Sequence, residues 1–123
     1  MAKFVDDAVA NAGLDAAQGT EYFVCDGQPT SFADVAPRAL NAARTPAYAR
    51  ADGTPDGRED EIGAQVDIDV ENAASLRNAD HVAITDGAAV LLTVTTIGGA
   101  VQQVQDGDKM TLTAYKHTIA DVS

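Results

Sequence analysis

The stretch His81-Val82-Ala83-Ile84-Thr85-Asp86-Gly87-Ala88-Ala89-Val90-Leu91-Leu92-Thr93-Val94-Thr95-Thr96 decides the fold class. Two runs rich in β-formers flank Asp86-Gly87, and Asp-Gly between such runs is a strong hairpin signal. The reading is a strand over 81–85, a turn over 86–89 and a returning strand over 90–96. Upstream, Val66, Ile68 and Val70 alternate with Asp67, Asp69 and Glu71. That period of two predicts a strand with one wet face. Residues 72–78 read as a connection. Downstream, Gly98-Gly99 breaks the hairpin, a short stretch runs around 101–104, and Asp106-Gly107-Asp108 makes a second turn. Lys109 to Ile119 carries Met110, Leu112, Ala114 and Ile119 between polar residues and reads as one last strand. Strands at this regular spacing, with turn signals between them, suggest a sandwich or barrel.

The first half is more mixed. Phe4, Val5, Ala8, Val9 and Ala12 recur at helical spacing and predict a helix over about 3–17. Asp6 and Asp7 suit its positive end, and Gly13 weakens the pattern as a candidate C-terminus. Thr20 to Cys25 reads as a strand, closed by the turn Asp26-Gly27-Gln28-Pro29. Ser31 and Asp34 have the spacing of a helix cap, so a short helical turn through Val35 is expected, limited by Pro37. Pro46 breaks the segment holding Arg38, Arg44 and Arg50, which predicts an irregular or edge strand near 43–49. Asp52 to Glu61, with two Asp-Gly pairs and a Pro, reads as a loop. The expected fold is mainly β: a compact antiparallel β-sandwich or barrel-like domain, 1–123, with a short N-terminal helix and a β-rich body over about 20–119.

Length and composition agree with one domain, since 123 residues is a typical single-domain size. Eight Lys plus Arg face 19 Asp plus Glu, a formal charge of −11. Such a charge argues against nucleic acid, whose phosphates would be repelled, and against an anionic membrane surface. Cys25 is the only cysteine, which excludes an intrachain disulfide. No run of about 18 apolar residues is present, and Met1-Ala2-Lys3-Phe4 lacks the layout of a secretory signal. The expected place of synthesis is the interior of a cell.

The inventory for chemistry is thin. His81 and His117 could form a zinc pair only if their strands were adjacent and a carboxylate completed the site. Cys25 could act as a nucleophile only beside a histidine and an orienting group; buried free cysteine more commonly serves as a small hydrophobe. Asp52, Asp56 and Asp60 are candidate calcium ligands in the acidic loop, although EF-hand spacing is missing. A solvated loop is the plainer reading, as it is for Asp67, Asp69 and Glu71 on one strand face. Gly98-Gly99 lacks a phosphate-binding fingerprint, and Ser31, Ser75 and Ser123 lack nucleophile-elbow surroundings. The expectation is a binding module, with no catalytic residues and no cofactor.

Several ordered blocks add a resemblance. Residues 13–17 (Gly-Leu-Asp-Ala-Ala), 21–26 (Glu-Tyr-Phe-Val-Cys-Asp) and 28–34 (Gln-Pro-Thr-Ser-Phe-Ala-Asp) are similar to the N-terminus of small proteins encoded among the head genes of tailed bacteriophages. Further on, 52–58 resembles that family's "asp-gly-asp-thr-ser-gly-arg" loop. Residues 79–87 resemble its "ala-thr-his-trp-ala-leu-x-asp-gly" hairpin, and 106–121 its closing strand. Each motif is short, and their shared order carries the weight. Residues 38–50 and 58–61 depart from the pattern. The resemblance implies a virion structural protein: a capsid cement or decoration protein that binds the outer surface of the major capsid protein shell in multiple copies or as a homo-oligomer. It would be made in the host cytoplasm and carried on the capsid surface, without nucleic acid or membrane partners. The alternative is a head–tail connector or a tail-tip, receptor-binding module, calcium-dependent through the acidic loop. Candidate contacts are Phe4, Val5 and Val9, for which core packing is the plainer reading, and Arg38, Arg44 and Arg50, for which the plainer role is to balance nearby acids.

Overall fold

The structure is a computed structural model that describes residues 7–52, 57–97 and 102–119. The fold is mainly β, with two helices, a set of antiparallel sheets and no closed barrel among the described residues. Helix α1 (Asp7–Ala17) opens the described chain. It buries Ala10 and Leu14 and runs through Gly13 without ending there. Val9 lies on its outer side, 64% exposed, so the core-packing alternative for this residue is corrected. Phe4 and Val5 fall outside the described residues.

The hairpin forms as the sequence predicts. Strand β1 (Glu21–Cys25) pairs antiparallel with β6 (His81–Thr85), which pairs with β7 (Leu91–Thr96) to give the order β1-β6-β7. Asp86 caps the turn by accepting from the backbone N–H groups of Ala88, Ala89 and Val90 at 2.8–2.9 Å. Helix α2 (Phe32–Arg38) covers one face of this sheet. The Ser31 side chain accepts from the Asp34 N–H, as the cap spacing predicts. The helix outlasts the expected stop at Val35: Pro37 gives up only its own backbone bond, and the Ala39 N–H closes the last turn by donating to the Val35 carbonyl at 2.8 Å.

The acidic stretch is the main correction. Residues 58–61 are not loop: β3 (Arg58–Ile62) is the central strand of a second sheet, flanked by β2 (Tyr48–Asp52) and β10 (Tyr115–Ile119). The edge strand expected near 43–49 therefore begins at Tyr48. Before it, the chain makes single bridges from Ala39 to Cys25 and from Arg44 to Tyr22. The expected single last strand is two strands in different sheets. Its first part, β9 (Lys109–Leu112), pairs with β4 (Gln65–Asp69), and the second part is β10. The connection over 72–78 contains the start of β5 (Arg77–Ala79), which pairs with β8 (Gln102–Val104).

The alternation over 66–71 is interrupted. A register shift between Gln65 and Ile68, with Asp67 at φ 52, turns Val66 outward to 56% exposure while Ile68 and Val70 stay buried. A bulge inserts one unpaired residue and flips the next residues of the strand to the other face. All four sheets converge on one apolar cluster. It includes Tyr22, Val24, Val82 and Ile84 from the first sheet, Ile62 from the second, Ile68, Met110 and Leu112 from the third, and Ala79 and Val104 from the fourth. Gly19 stitches the first two sheets together. Its N–H donates to the Tyr48 hydroxyl at 2.9 Å, and a Cβ there would lie 2.3 Å from the Thr85 carbonyl oxygen.

Candidate functional site

The candidate residues fall into two polar clusters on opposite sheets. On the second sheet, antiparallel pairing sets Arg50 opposite Asp60. The Arg50 guanidinium makes a forked contact with the Asp60 carboxylate: Nε donates to Oδ1, and Nη2 donates to Oδ2 at 3.1 Å. Nη2 also donates to Asp15 Oδ1 on α1 at 2.8 Å, and Gln18 Nε2 donates to Asp60 Oδ2 at 2.9 Å. The network thus clamps the end of the helix onto the sheet. The Asp60 side chain is only 3% exposed. Burial pushes its carboxyl pKa up, but the hydrogen bonds from Arg50 and Gln18 outweigh burial and hold it below the ordinary value. The hydrogen bonds that Arg50 donates to Asp60 and Asp15 raise its own pKa. His117 lies across the strand pair from Asp60. Burial lowers its pKa against the opposing pull of Asp60, and its Nε2 sits 3.5 Å from the Thr95 hydroxyl.

Asp60 therefore faces inward to an arginine. Asp52, one strand away, is bound to Arg58 at 2.5 Å. Asp56 lies outside the described residues. Among the described residues, no group of three or more His, Cys, Asp or Glu side chains is placed to hold a metal ion.

The second cluster lies where β1 ends against α2 and β6. Cys25 and His81 are register partners. The Asp80 carboxylate accepts from the Gly27 N–H at 2.7 Å and contacts His81 Nδ1 at 2.8 Å. Arg77 Nε donates to Asp26 at 3.0 Å, and its Nη atoms reach the carbonyls of Asn72 and Pro37. Arg38 donates to Asp34 at 2.9 Å and to the Asp26 carbonyl at 3.2 Å. These bonds tie the turn after β1 to the end of α2 and to β5. Cys25 is fully buried, and burial pushes its thiol up to about 12. A thiol held there is protonated at neutral pH and is not a ready nucleophile. His117, in the second sheet, belongs to the other cluster.

The three arginines named from sequence are all engaged within the chain. Arg38 and Arg50 pair with acids, and Arg44 donates to the Gln65 side chain at 2.9 Å and to the Val66 carbonyl at 3.2 Å. Val9 alone of the described contact candidates is an open apolar side chain; Val66, Leu76 and Val90 are also exposed, each on its own element or loop. The pairing of buried Asp60 with half-buried Arg50 has no local sign in the sequence, because Arg58-Glu59-Asp60-Glu61 has no apolar alternation to mark a strand; Ile62 at its end is the one core-type residue. No family model matches the chain, and neither a curated protein nor a solved structure matches it.

Proposed function

We propose that the chain is a virion structural protein, a capsid cement or decoration protein that binds the outer surface of a major capsid protein shell and stabilises it. One observation supports this reading above others. The blocks carrying the phage-protein resemblance form one structural unit, although 21–26 and 28–34 lie about 45 residues before 79–87 in the sequence. Residues of the first and third pair as β1 and β6, and the second leads into α2, whose Val35 packs with Cys25 and Ala83. Motifs that share both an order and a folded neighbourhood are harder to match by accident than isolated short strings.

The mechanism needs only surface. A protein that binds the assembled shell and not its separated subunits adds stabilisation at every occupied site through mass action. Bound across the seams between capsomers, many copies raise the cost of pulling the shell apart. With a formal charge of −11, the fitting surface on the shell is basic, and complementary charge would govern on-rate and selectivity. Val9 on the outer side of α1 is the apolar contact to test first.

The experiment is co-sedimentation with undecorated capsids of the encoding phage. Saturation at a fixed ratio to coat subunits, a higher capsid melting temperature and weaker binding for Val9→Glu are expected. A chain that leaves the shells unbound overturns the reading and directs the search to the head–tail junction and the tail.

A further inference from the structure

Among the described residues, strand β7 (Leu91–Thr96) is an open edge of the first sheet, and its composition is unusual for an exposed edge. Among the described residues it pairs with β6 and with no other strand, and its outward backbone groups have no other partner. Its side chains are half-buried from Leu91 to Thr95, and Thr96 is exposed. It contains no Asp, Glu, Lys, Arg or Pro, and neither does β6 beside it. Native proteins commonly protect free edges with charge, proline or brevity. The other edges here do so. β2 carries Arg50 and Asp52, β10 carries Lys116, β4 carries Asp67 and Asp69, β9 carries Lys109, β5 carries Arg77, and β8 has only three residues. The outer side of β1 is already bridged by Ala39 and Arg44.

We infer that β7 is a self-association edge, pairing antiparallel with β7 of a second copy to join two three-stranded sheets into one continuous sheet. The occupant is fixed by composition and symmetry. A basic segment would find no acid on this strand, whereas a neutral strand of hydroxyl and aliphatic side chains matches it, and β7 is itself such a strand. A two-fold axis normal to the sheet keeps each face continuous, so residues opposite each other must lie on the same face. The β6 register places Val94 on the α2 side with Ala83 and Phe23, and Thr93 and Thr95 on the core side with Ile84 and Val82. Centring the axis on Val94 meets the requirement. Val94 faces its own copy, and Thr93 faces Thr95 twice, a pairing of hydroxyl side chains favoured between neighbouring strands. The irregularity between Ile84 and Thr85 falls at Leu92, so the straight part of the strand, Thr93–Thr96, lies at the junction. The pairing is independent of the shell-binding reading.

The test is the oligomeric state of the full chain by sedimentation equilibrium over a range of concentration and salt. The expected result is a reversible dimer of twice the 12.7 kDa chain mass, favoured by added salt because each copy carries −11. Val94→Lys should be a folded monomer by its melting transition, whereas Ala49→Lys on the β2 edge should dimerise like the parent. In Val94→Cys, oxidation should give a cross-linked dimer, since opposed Cα atoms in an antiparallel pair lie about 4.5–5.5 Å apart, within disulfide reach. A parent chain that is monomeric throughout, or a dimer that persists in Val94→Lys, overturns the inference. Should Val94→Lys fail to fold, absence of a cross-link in Val94→Cys overturns it and its formation supports it.

Discussion

The two three-stranded sheets are built alike and held differently. In β1-β6-β7 the middle strand, His81–Thr85, is aliphatic, and Val82, Ala83 and Ile84 are buried. In β10-β3-β2 the middle strand is Arg58-Glu59-Asp60-Glu61-Ile62, four charges and one isoleucine, and two of its acids are buried. The first sheet is fixed by non-directional burial of apolar surface. The second is fixed by directional bonds: Asp60 to Arg50 and Gln18, and the buried Glu59, which pairs with Lys116 at 3.2 Å. Directional bonds specify register but return little net stability once the charges have lost their water. The aliphatic sheet should thus supply most of the folding free energy, and the charged sheet should position α1.

The largest effect that would test this contrast is in the aliphatic strand. Ile84→Ala removes a fully buried side chain from the central cluster and should cost about 4 kcal/mol, read from chemical denaturation. A cost under a quarter of that would mean the first sheet is not the anchor. Asp60→Ala should cost about 2 kcal/mol, because it leaves the half-buried Arg50 with Asp15 alone and takes the acceptor from Gln18. The pair Asp60→Leu with Arg50→Met should recover most of the lost melting temperature if the ion pair serves register more than stability. Failure to recover would make the network a true source of stability. Gly19→Ala probes the seam between the sheets. Its new Cβ collides with the Thr85 backbone, and the strain should cost about 2 kcal/mol.

The smallest effects are those of pH, and they belong to the charged sheet. Burial holds the His117 pKa below 6.5, so the folded form binds a proton less readily than the unfolded chain. Its contribution is complete above 6.5 and is lost as pH falls from there toward its folded value. Asp60 has a folded pKa lowered from 3.8, so its contribution is complete above that value and is lost as pH falls through the folded pKa. Melting temperature should therefore decline in two steps on acidification. His117→Gln should flatten the step just below 6.5 and leave the acid step in place. An unchanged upper step would assign it to another group.

Much of the first sheet was legible because its signals are local. Asp86-Gly87 needs only its own turn, and Val82 and Ile84 reveal their face by spacing. The second sheet was not, because Asp60 is buried only by virtue of Arg50 and Gln18, and nothing near residue 60 announces partners so far along the chain. The same holds for Val66. Its alternation with Ile68 was visible, but the bulge that turns it outward arises from pairing with Lys109–Leu112. The candidate sites divide in the same way: the burial that holds the Cys25 thiol protonated depends on Val35 of α2, and the arginines named as contacts are engaged by distant partners.

The sequence by itself determined a β-rich chain, its hairpin and its Ser31 helix cap, because turn chemistry and side-chain period act over a few residues. Only the tertiary structure decided which acids are buried, which strand is central and which edge stays open. Those outcomes depend on groups far apart in the chain being brought within hydrogen-bond distance, where the loss of water and the gain of a partner are settled together.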